Sequence, residues 1–271
     1  MLASGKRVCL SPVLLLDAIF DFVKAPIWSI QEFYLLSGKA LRNVVRRPHY
    51  WTDILTQMDR IGVGSLPIVA LTGGFSGAVM ALQMSKALDQ YGASGNTGQI
   101  VSFTLVTQLG PVLTSLVVAG RNASGIASEL GSMKVTEQID AMRALGTDPV
   151  QKLVTPRVIA MAVMLPILTV ISDFIGICGG WIIALTSIGI TTTQYWTGVH
   201  SILEYPDVMQ GLTTPFVNAF VISLIGCFYG MQTTGGTQGV GRATTQAVVA
   251  SSVWLFVVNL FVTQIFVQFS R

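Results

Sequence analysis

Charged side chains are scarce in this sequence. Sixteen lysines and arginines and 13 aspartates and glutamates make up 11% of the 271 residues, whereas soluble domains are about one-quarter charged. Hydrophobic residues account for 51% of the chain. So little charge excludes an ordinary soluble domain, and the composition indicates a membrane protein. The net charge of +3 gives no reason to expect a nucleic-acid partner.

Residues suited to metal, redox or nucleotide chemistry are also few. The three cysteines have no metal-ligand spacing, and the two histidines, His49 and His200, fall on opposite sides of the membrane in the topology predicted from the basic residues. The glycine-rich segment 235–245 lacks the Lys-Ser/Thr ending of a P-loop and follows no predicted strand. We therefore expect no metal, no cofactor and no nucleotide site in this chain, so that any energy input requires another subunit.

Long uncharged runs fill most of the remaining sequence, and they cover residues 61–85, 90–120, 174–203, 208–241 and 243–270. A helix that crosses a bilayer needs about 20 residues, so each run supplies one crossing. The third crossing is predicted to begin near Val158, because Asp173 alone interrupts 158–190, and to end at the polar stretch GITTTQYW, residues 189–196. The sequence thus predicts an all-α polytopic fold with five transmembrane helices, at about 61–85, 98–120, 158–187, 209–231 and 246–268.

The basic residues between these spans set the predicted orientation, because lysine and arginine are retained on the cytoplasmic side. Fourteen of them lie in residues 1–60, 121–157 and 232–245, and two, Lys86 and Arg271, lie on the opposite side. This asymmetry predicts a cytoplasmic N-terminus and a periplasmic C-terminus.

The first 60 residues are predicted to form a cytoplasmic and interfacial segment that precedes the five-helix domain of residues 61–271. Residues 13–36 mix large apolar side chains with four charges, which is too charged to span and too apolar to be solvated. An in-plane interfacial helix is therefore expected. The spacing of Asp17 and Asp21 also occurs in metal-diphosphate sites, but no second acidic motif accompanies it, so a pair on a helix surface is favoured.

A compact charged segment, residues 129–150, separates the second and third predicted spans. Val135, Ile139 and Met142 have helical spacing and predict an amphipathic helix over residues 132–145. The charged residues of the segment are Glu129, Lys134, Glu137, Asp140, Arg143 and Asp148.

Glycines delimit this predicted helix. Gly131 is expected to separate it from a shorter turn over residues 122–130, and Gly146, followed by Pro149, ends it. On the cytoplasmic side such a helix presents an apolar ridge edged by charges, which either fits a groove of a partner protein or lies on the lipid surface. Composition leaves both interpretations open.

Two stretches of the sequence resemble one known protein family. LVTQLGPVLTSLVVAGRNASGIASELGSMKVTEQIDAMRALGTDPVQKLVTPRVIA, residues 105–160, is similar to the signature region of the MlaE permease family, and GVGRATTQAVV, residues 239–249, resembles the loop that leads into its final span. The resemblance extends over about residues 40–268. It implies the permease subunit of an ABC transporter in a bacterial inner membrane, which moves phospholipid or a related lipid between membranes. The alternative is a stand-alone membrane-embedded lipid-modifying enzyme or channel.

The resemblance also implies partners. Complexes of this family combine two copies of the permease, two cytoplasmic ATPases and a ring of MCE-domain proteins on the periplasmic face. The family's coupling helix lies between the second and third spans, which corresponds to about residues 129–150 here. ATPase contacts are therefore expected at Glu129, Lys134, Glu137, Asp140 and Arg143.

A lipid cavity between two copies of the chain, lined by the first, second and final spans, is a further implication of the resemblance. Its expected substrate contacts are Ser102, Thr104, Thr107 and Gln108 of the second span and Asp173 of the third. Many relatives carry a basic-acidic pair at the positions of Thr107 and Gln108, which are neutral here. Asp173 has two open interpretations, a group that lines a wet cavity or a structural hydrogen bond to a neighbouring helix.

Small residues and prolines punctuate the predicted spans. Glycine pairs four residues apart let helix backbones approach closely, which suits either packing within one chain or a seam between two copies. The pairs are Gly73 and Gly77, Gly176 and Gly180, and Gly226 and Gly230. Prolines expected to kink or break spans stand at 67, 111, 166 and 215.

The predicted topology can be tested with a reporter fused after Arg271. Because the basic residues place this end outside, a periplasm-specific reporter should be active there, and the same reporter inserted in the 232–245 loop should be silent. Activity of a cytoplasm-specific reporter after Arg271 would refute the five-span orientation.

Overall fold

The computed structural model describes residues 28, 30–44 and 50–269. Helices account for nearly all of these residues, and none of the described residues forms a strand. Five of the helical segments are long and apolar enough to cross a membrane. The predicted all-α polytopic fold with five spans is therefore confirmed.

The helices follow one another with short connections. Helix α1 covers residues 30–44. The later helices are α2 (Trp51–Asp89), α3 (Thr97–Thr104), α4 (Gly110–Val118), α5 (Ser124–Val135), α6 (Gln138–Ala144), α7 (Thr155–Ile183), α8 (Thr192–Ile202), α9 (Tyr205–Met231) and α10 (Gly236–Phe269). A 3-10 turn covers Ser94–Asn96, and π-helical segments cover Leu105–Leu109, Ala119–Ala123, Val150–Val154 and Ala184–Ile188. The second span, Ser94–Val135, is thus one continuous helical rod that contains two π-helical segments.

Each span is longer than the sequence predicted. Helix α2 begins at Trp51, ten residues before the predicted start and inside the predicted N-terminal segment. Uncharged runs mark only the lipid-embedded part of a helix, whereas hydrogen bonding continues the helix into the charged region outside it. Helix α8 was missed, because its polar sequence had been assigned to the exit of the third span. Thr191 accepts a hydrogen bond from the Gln194 amide at the start of α8.

Helix α9 is the most enclosed span, and it packs against α4, α5, α7 and α10. Helices α2 and α10 have the least enclosed apolar segments. Exposed apolar residues line both, and they include Leu71, Phe75 and Val79 on α2 and Val253, Leu260 and Phe261 on α10. In a membrane protein such faces contact lipid or another polypeptide.

A seam of glycines joins α2 to α7. A methyl group added at Gly77 would lie 1.9 Å from the carbonyl oxygen of Gly176, and one added at Gly73 would lie 2.5 Å from the Ser172 hydroxyl. One added at Gly179 would lie 2.4 Å from the Gly74 carbonyl oxygen. The two backbones therefore touch, which is how transmembrane helices associate when lipid supplies no hydrophobic driving force.

The third glycine pair packs against the second span, at the π-helical segment Ala119–Ala123 and at α5. A methyl group added at Gly226 would meet Ala123 at 3.3 Å, and one at Gly230 would meet the Leu130 side chain at 2.8 Å. The glycine pairs of the three predicted motifs thus lie in contacts within one chain. Of the two interpretations left open by the sequence, intramolecular packing is the one that the structure supports.

The prolines are accommodated in two ways. Pro67, Pro166 and Pro215 lie inside α2, α7 and α9, each of which continues through its proline, so of the predicted kinks or breaks no break occurs there. Pro111 lies in the first turn of α4, directly after the π-helical segment Leu105–Leu109. Its missing N–H therefore falls where the regular α-helical hydrogen-bond pattern of the continuous second span is already interrupted.

Helix α1 lies against the end of the bundle where α2 begins and α9 ends. The ring of Phe33 meets that of Phe228 edge-on at 5.4 Å, and Lys39 forms an ion pair of 3.1 Å with Asp148. Ile30, Tyr34 and Leu35 are exposed on this helix. These apolar residues suit the predicted interfacial placement. Of the predicted helix 13–36, residues 13–27 and 29 lie outside the described residues, as does the Asp17 and Asp21 pair.

The basic segments meet at this same end of the bundle. Asp53 of α2 pairs with Lys152 at 2.7 Å, and Gln232 donates a hydrogen bond to Glu32 of α1. The structure therefore groups the three segments to which the basic residues were assigned. That this end faces the cytoplasm stays a prediction from the charge asymmetry.

Replacing Gly77 by alanine tests the glycine seam. The added methyl group has to push α7 away, so we expect the free energy of unfolding to fall by about 1–3 kcal/mol. Thermal unfolding of the detergent-solubilised chain would measure this. Gly120→Ala is the matched control, because an added methyl group there meets nothing within 4 Å, and alanine favours the helix. Equal unfolding temperatures for Gly77→Ala and the unmodified chain would contradict the seam.

Candidate functional site

The predicted substrate contacts of the second span lie along α3 and the π-helical segment that follows it. Ser102 is fully buried, and its hydroxyl donates to the Gln99 carbonyl at 3.1 Å. Thr107 is also buried, and its hydroxyl donates to the Phe103 carbonyl at 2.7 Å. Thr104 is half-buried. These hydroxyls mainly satisfy their own helix, as hydroxyls in lipid-embedded helices commonly do.

Gln108 is the member of this set that reaches another span. Its side-chain amide donates to the Thr263 hydroxyl of α10 at 3.3 Å, and the side chain is half-buried. A second amide, Gln210 of α9, donates to the Thr107 carbonyl at 3.3 Å and is buried. Both bonds link the π-helical segment Leu105–Leu109 to a neighbouring span. Such segments are frequent at functional sites.

Asp173 lies on α7 and faces Gly110 of α4. A methyl group added at Gly110 would lie 1.6 Å from its Oδ1 atom, so only glycine leaves room for the carboxylate there. The side chain is 9% exposed, and Oδ1 has no hydrogen-bond partner among the described residues. The carboxylate is thus adjacent in the fold to the segment that carries Gln108. Among the residues that the structure describes, no hydrogen bond to Oδ1 supports the structural interpretation.

At the opposite end, Glu129 of α5 bridges two arginines. Its Oε1 accepts from Arg60 of α2 at 2.9 Å, and its Oε2 accepts from Arg157 of α7 at 2.8 Å. The Arg157 side chain is 4% exposed and also donates to the Leu153 carbonyl at 2.6 Å. A buried guanidinium needs a partner charge, and Glu129 supplies it for Arg157. Through its two ion pairs Glu129 connects α2, α5 and α7, in addition to any role at a partner surface.

Helices α5 and α6 form two pieces where one helix over residues 132–145 was predicted. That prediction is wrong, because the chain turns at Glu137, whose φ of 61° is left-handed. Gly131 was also expected to end a turn, but α5 continues through it. The predicted stop at Gly146 is confirmed, with φ of 78°.

The charged residues around this turn form one cluster. Lys134 pairs with Asp140 at 2.7 Å, and Arg143 pairs with the same carboxylate at 3.2 Å. The hydrogen bond from Lys134 holds the pKa of Asp140 below its ordinary value. Glu137 is exposed, and it belongs to none of the ion pairs formed by the described residues. Of the five predicted ATPase contacts, Glu137 is therefore the one whose charge is not paired with another described residue.

The predicted apolar ridge is only partly exposed. Ile139 is fully buried and Met142 is half-buried, whereas Val135 is exposed. Leu145, which the pattern did not select, is 83% exposed at the end of α6. The break at Glu137 rotates α6 relative to α5. The spacing of Val135, Ile139 and Met142 assumes one continuous helix, so it does not identify the side of α6 that is exposed.

Several polar residues that matter here escaped the sequence analysis. Gln210 and Asn218 each stand in an uncharged run, and Asn218 donates to Ser115 at 3.0 Å within the bundle. The sequence does contain a signal for these two residues, because a side-chain amide in an apolar span needs a hydrogen-bond partner. For the burial of Arg157 there was no signal, because sequence position alone assigned it to a loop. Among the described residues, no group of three or more His, Cys, Asp or Glu is arranged to hold a metal ion.

The chain is similar to known proteins along most of its length. The family described as Permease MlaE matches residues 54–265. A probable ABC transporter permease protein of Rickettsia felis is 42% identical over 238 residues, which cover 88% of this chain and 92% of the relative. The intermembrane phospholipid transport system permease protein MlaE of Haemophilus influenzae is 30% identical over 233 residues, 86% and 89% of the two chains. Protein TRIGALACTOSYLDIACYLGLYCEROL 1 of Arabidopsis thaliana, chloroplastic, is 34% identical over 242 residues, 89% and 69%.

An α-helical bundle with five candidate membrane spans defines a polytopic membrane protein. The chain belongs to the MlaE permease family. It is a permease subunit of the ABC transporter class and not an enzyme.

Proposed function

We propose that this chain moves phospholipid or a related lipid between membranes, as one of two permease copies in a complex with a separate ATPase. The observation that carries the proposal is the similarity along nearly the whole chain to the Haemophilus influenzae phospholipid permease. The names of the relatives favour this function over the stand-alone enzyme or channel.

The lipid is proposed to bind between two copies, beside α2, α3 and α10. Exposed apolar side chains on α2 and α10 would supply a trough for acyl chains, and no other described part of the chain covers them. Gln108 and its partner Thr263 would form the polar wall, together with Thr104. A few polar groups in an apolar trough suit a ligand with one polar head and long apolar tails. Ser102, Thr107 and Asp173 would act from behind this wall, because all three are buried.

Helix α6 is proposed to be the contact with the ATPase. It follows α5, the last part of the continuous rod Ser94–Val135 that also carries Gln108. A displacement of α6 would therefore be transmitted along this rod to the proposed polar wall at Gln108. The ion pairs of Glu129 would transmit it to α2 and α7. Lys134, Asp140 and Arg143 would stiffen the turn, while Glu137 and Leu145 would face the partner.

The remaining parts of the proposal concern placement. The chain is proposed to lie in a bacterial inner membrane, with α1 and α6 on the cytoplasmic side and α8 on the periplasmic side. An MCE-domain ring is proposed to cover the periplasmic end, near α8. This orientation is supported by the grouping of the basic segments at the end that holds α1 and α6.

Charge reversal at Glu137 tests the ATPase contact. Because Glu137 belongs to no ion pair of the described residues, Glu137→Lys should leave folding and membrane insertion intact but weaken binding of the purified ATPase about tenfold. The matched control is Asp89→Lys, an exposed carboxylate at the other end of the bundle. Unchanged ATPase binding by Glu137→Lys would favour the lipid-surface interpretation of α6.

Photolabelling at position 108 tests the proposed lipid wall. A photoreactive residue there should capture lipid in the assembled complex, and the yield should change when ATP analogues lock the ATPase. A photoreactive residue at Phe174, exposed on the outside of α7, is the control and should label bilayer lipid equally in every state. If position 108 captured no lipid in any state, the site would lie elsewhere even though the family assignment would stand.

A further inference from the structure

A depression opens between the beginning of α2 and the second span. Its volume is about 700 Å³, and its lining includes Arg60 and Gly64 of α2 and Arg121, Gly125, Ser128 and Glu129 of the second span. We call it the Arg121 pocket. Gly64, Gly125 and Ser128 are exposed, so small residues form its surface and leave the space open.

The pocket lies at the depth where lipid headgroups begin. Arg60 immediately precedes the uncharged run 61–85, and Arg121 immediately follows the uncharged run 90–120. The two arginines therefore mark the same boundary of the apolar layer from two different spans. Phosphate is the anion that phospholipids present at this boundary.

The charges of the pocket leave Arg121 without an acidic partner. Arg60 is paired with Glu129, which also holds the buried Arg157. Asp59 lines the pocket as well, and neither Asp59 nor Arg121 takes part in an ion pair of the described residues. Among the described residues, the pocket thus presents one guanidinium, Arg121, and one carboxylate, Asp59, that form no ion pair.

The Arg121 guanidinium is held in position. Its Nη1 donates to the Ser65 hydroxyl at 2.8 Å, and the Asn122 amide donates to the same hydroxyl at 3.3 Å. Its Nη2 lies against Gly64, where an added methyl group would be 2.4 Å away. Arginine has five N–H donors, so several remain for a ligand. Arg121 also belongs to the π-helical segment Ala119–Ala123, just as Gln108 belongs to Leu105–Leu109, and such segments recur at functional sites.

We propose that the Arg121 pocket binds a phosphate group, either in the headgroup of a phospholipid in the adjacent leaflet or as inorganic phosphate. Arginine matches phosphate oxygens with paired, charge-assisted hydrogen bonds. The pocket differs from the Gln108 region, since 13 helical residues separate the two positions, or about 20 Å along the rod. The proposal does not depend on the direction of transport or on an ATPase.

Native mass spectrometry of the full chain in detergent tests the proposal. The probes are phosphatidylglycerol, diacylglycerol with the same acyl chains, and inorganic phosphate. We expect Arg121→Gln to weaken phosphatidylglycerol binding about tenfold or more, and Arg121→Lys to weaken it less. Lys86→Gln is the matched control, because it removes an exposed basic charge at the other end of α2, and it should bind as the unmodified chain does.

A second variant fills the pocket without changing its charge. Gly125→Leu projects into the pocket, and Gly120→Leu, just before Arg121, serves as its control. An added methyl group meets nothing within 4 Å at either glycine, so the first carbon of each leucine side chain has space in the fold. We expect Gly125→Leu to lose phosphatidylglycerol binding and Gly120→Leu to retain it.

The outcomes separate the two sources of phosphate. Weaker phosphatidylglycerol binding by Arg121→Gln, with diacylglycerol binding unchanged by the substitution, assigns the pocket to a lipid headgroup. Inorganic phosphate binding that needs Arg121, with phosphatidylglycerol binding unchanged by the substitution, assigns it to free phosphate. If Arg121→Gln and Gly125→Leu bound both phosphate probes as the unmodified chain does, or if Arg121→Gln weakened diacylglycerol binding as much as phosphatidylglycerol binding, the proposal would be overturned.

Discussion

The direct backbone contact between α2 and α7 is the constraint on which the remaining structure depends. Lipid solvates apolar side chains as well as protein does, so these helices are held by close packing instead of hydrophobic exclusion. Gly77 and Gly176 allow that packing. The contact of Ser172 with Gly73 also fixes the rotation of α7, and the next residue, Asp173, is thereby turned towards Gly110 of α4. The position of the Asp173 carboxyl group in the middle of the bundle is therefore a consequence of the close packing of α2 against α7.

Apart from Asp173, the charged residues that the structure describes lie outside the predicted spans of the sequence, and at the ends of the bundle they connect its helices. The exposed pairs, such as Lys39 with Asp148, contribute about 0–1 kcal/mol each. The bridge from Glu129 to Arg157 matters more, because the guanidinium is buried and loses its counter-charge if the bridge breaks. One carboxylate thus links α5, which leads to α6, with α2 and α7.

The second span joins the proposed sites into one mechanical element. Its two π-helical segments carry Gln108 and Arg121, and its final helix leads to the turn at Glu137. A movement of α6 would therefore act on both the Arg121 pocket and the proposed lipid wall. The outward apolar faces of α2 and α10 lie beside this rod and would meet lipid or a second copy.

The sequence by itself determined the number of spans, the all-α class and the family, because uncharged runs and a long local motif are properties of consecutive residues. It also located the stop at Gly146, where a left-handed backbone favours glycine. It did not predict the break at Glu137, the burial of Arg157 and Ile139, or the pocket that Arg121 lines. Those features depend on which helix lies beside which, and residues such as Arg60, Glu129 and Arg157 are far apart in the chain. Only the tertiary structure decided them, since burial and charge pairing arise when distant helices pack together.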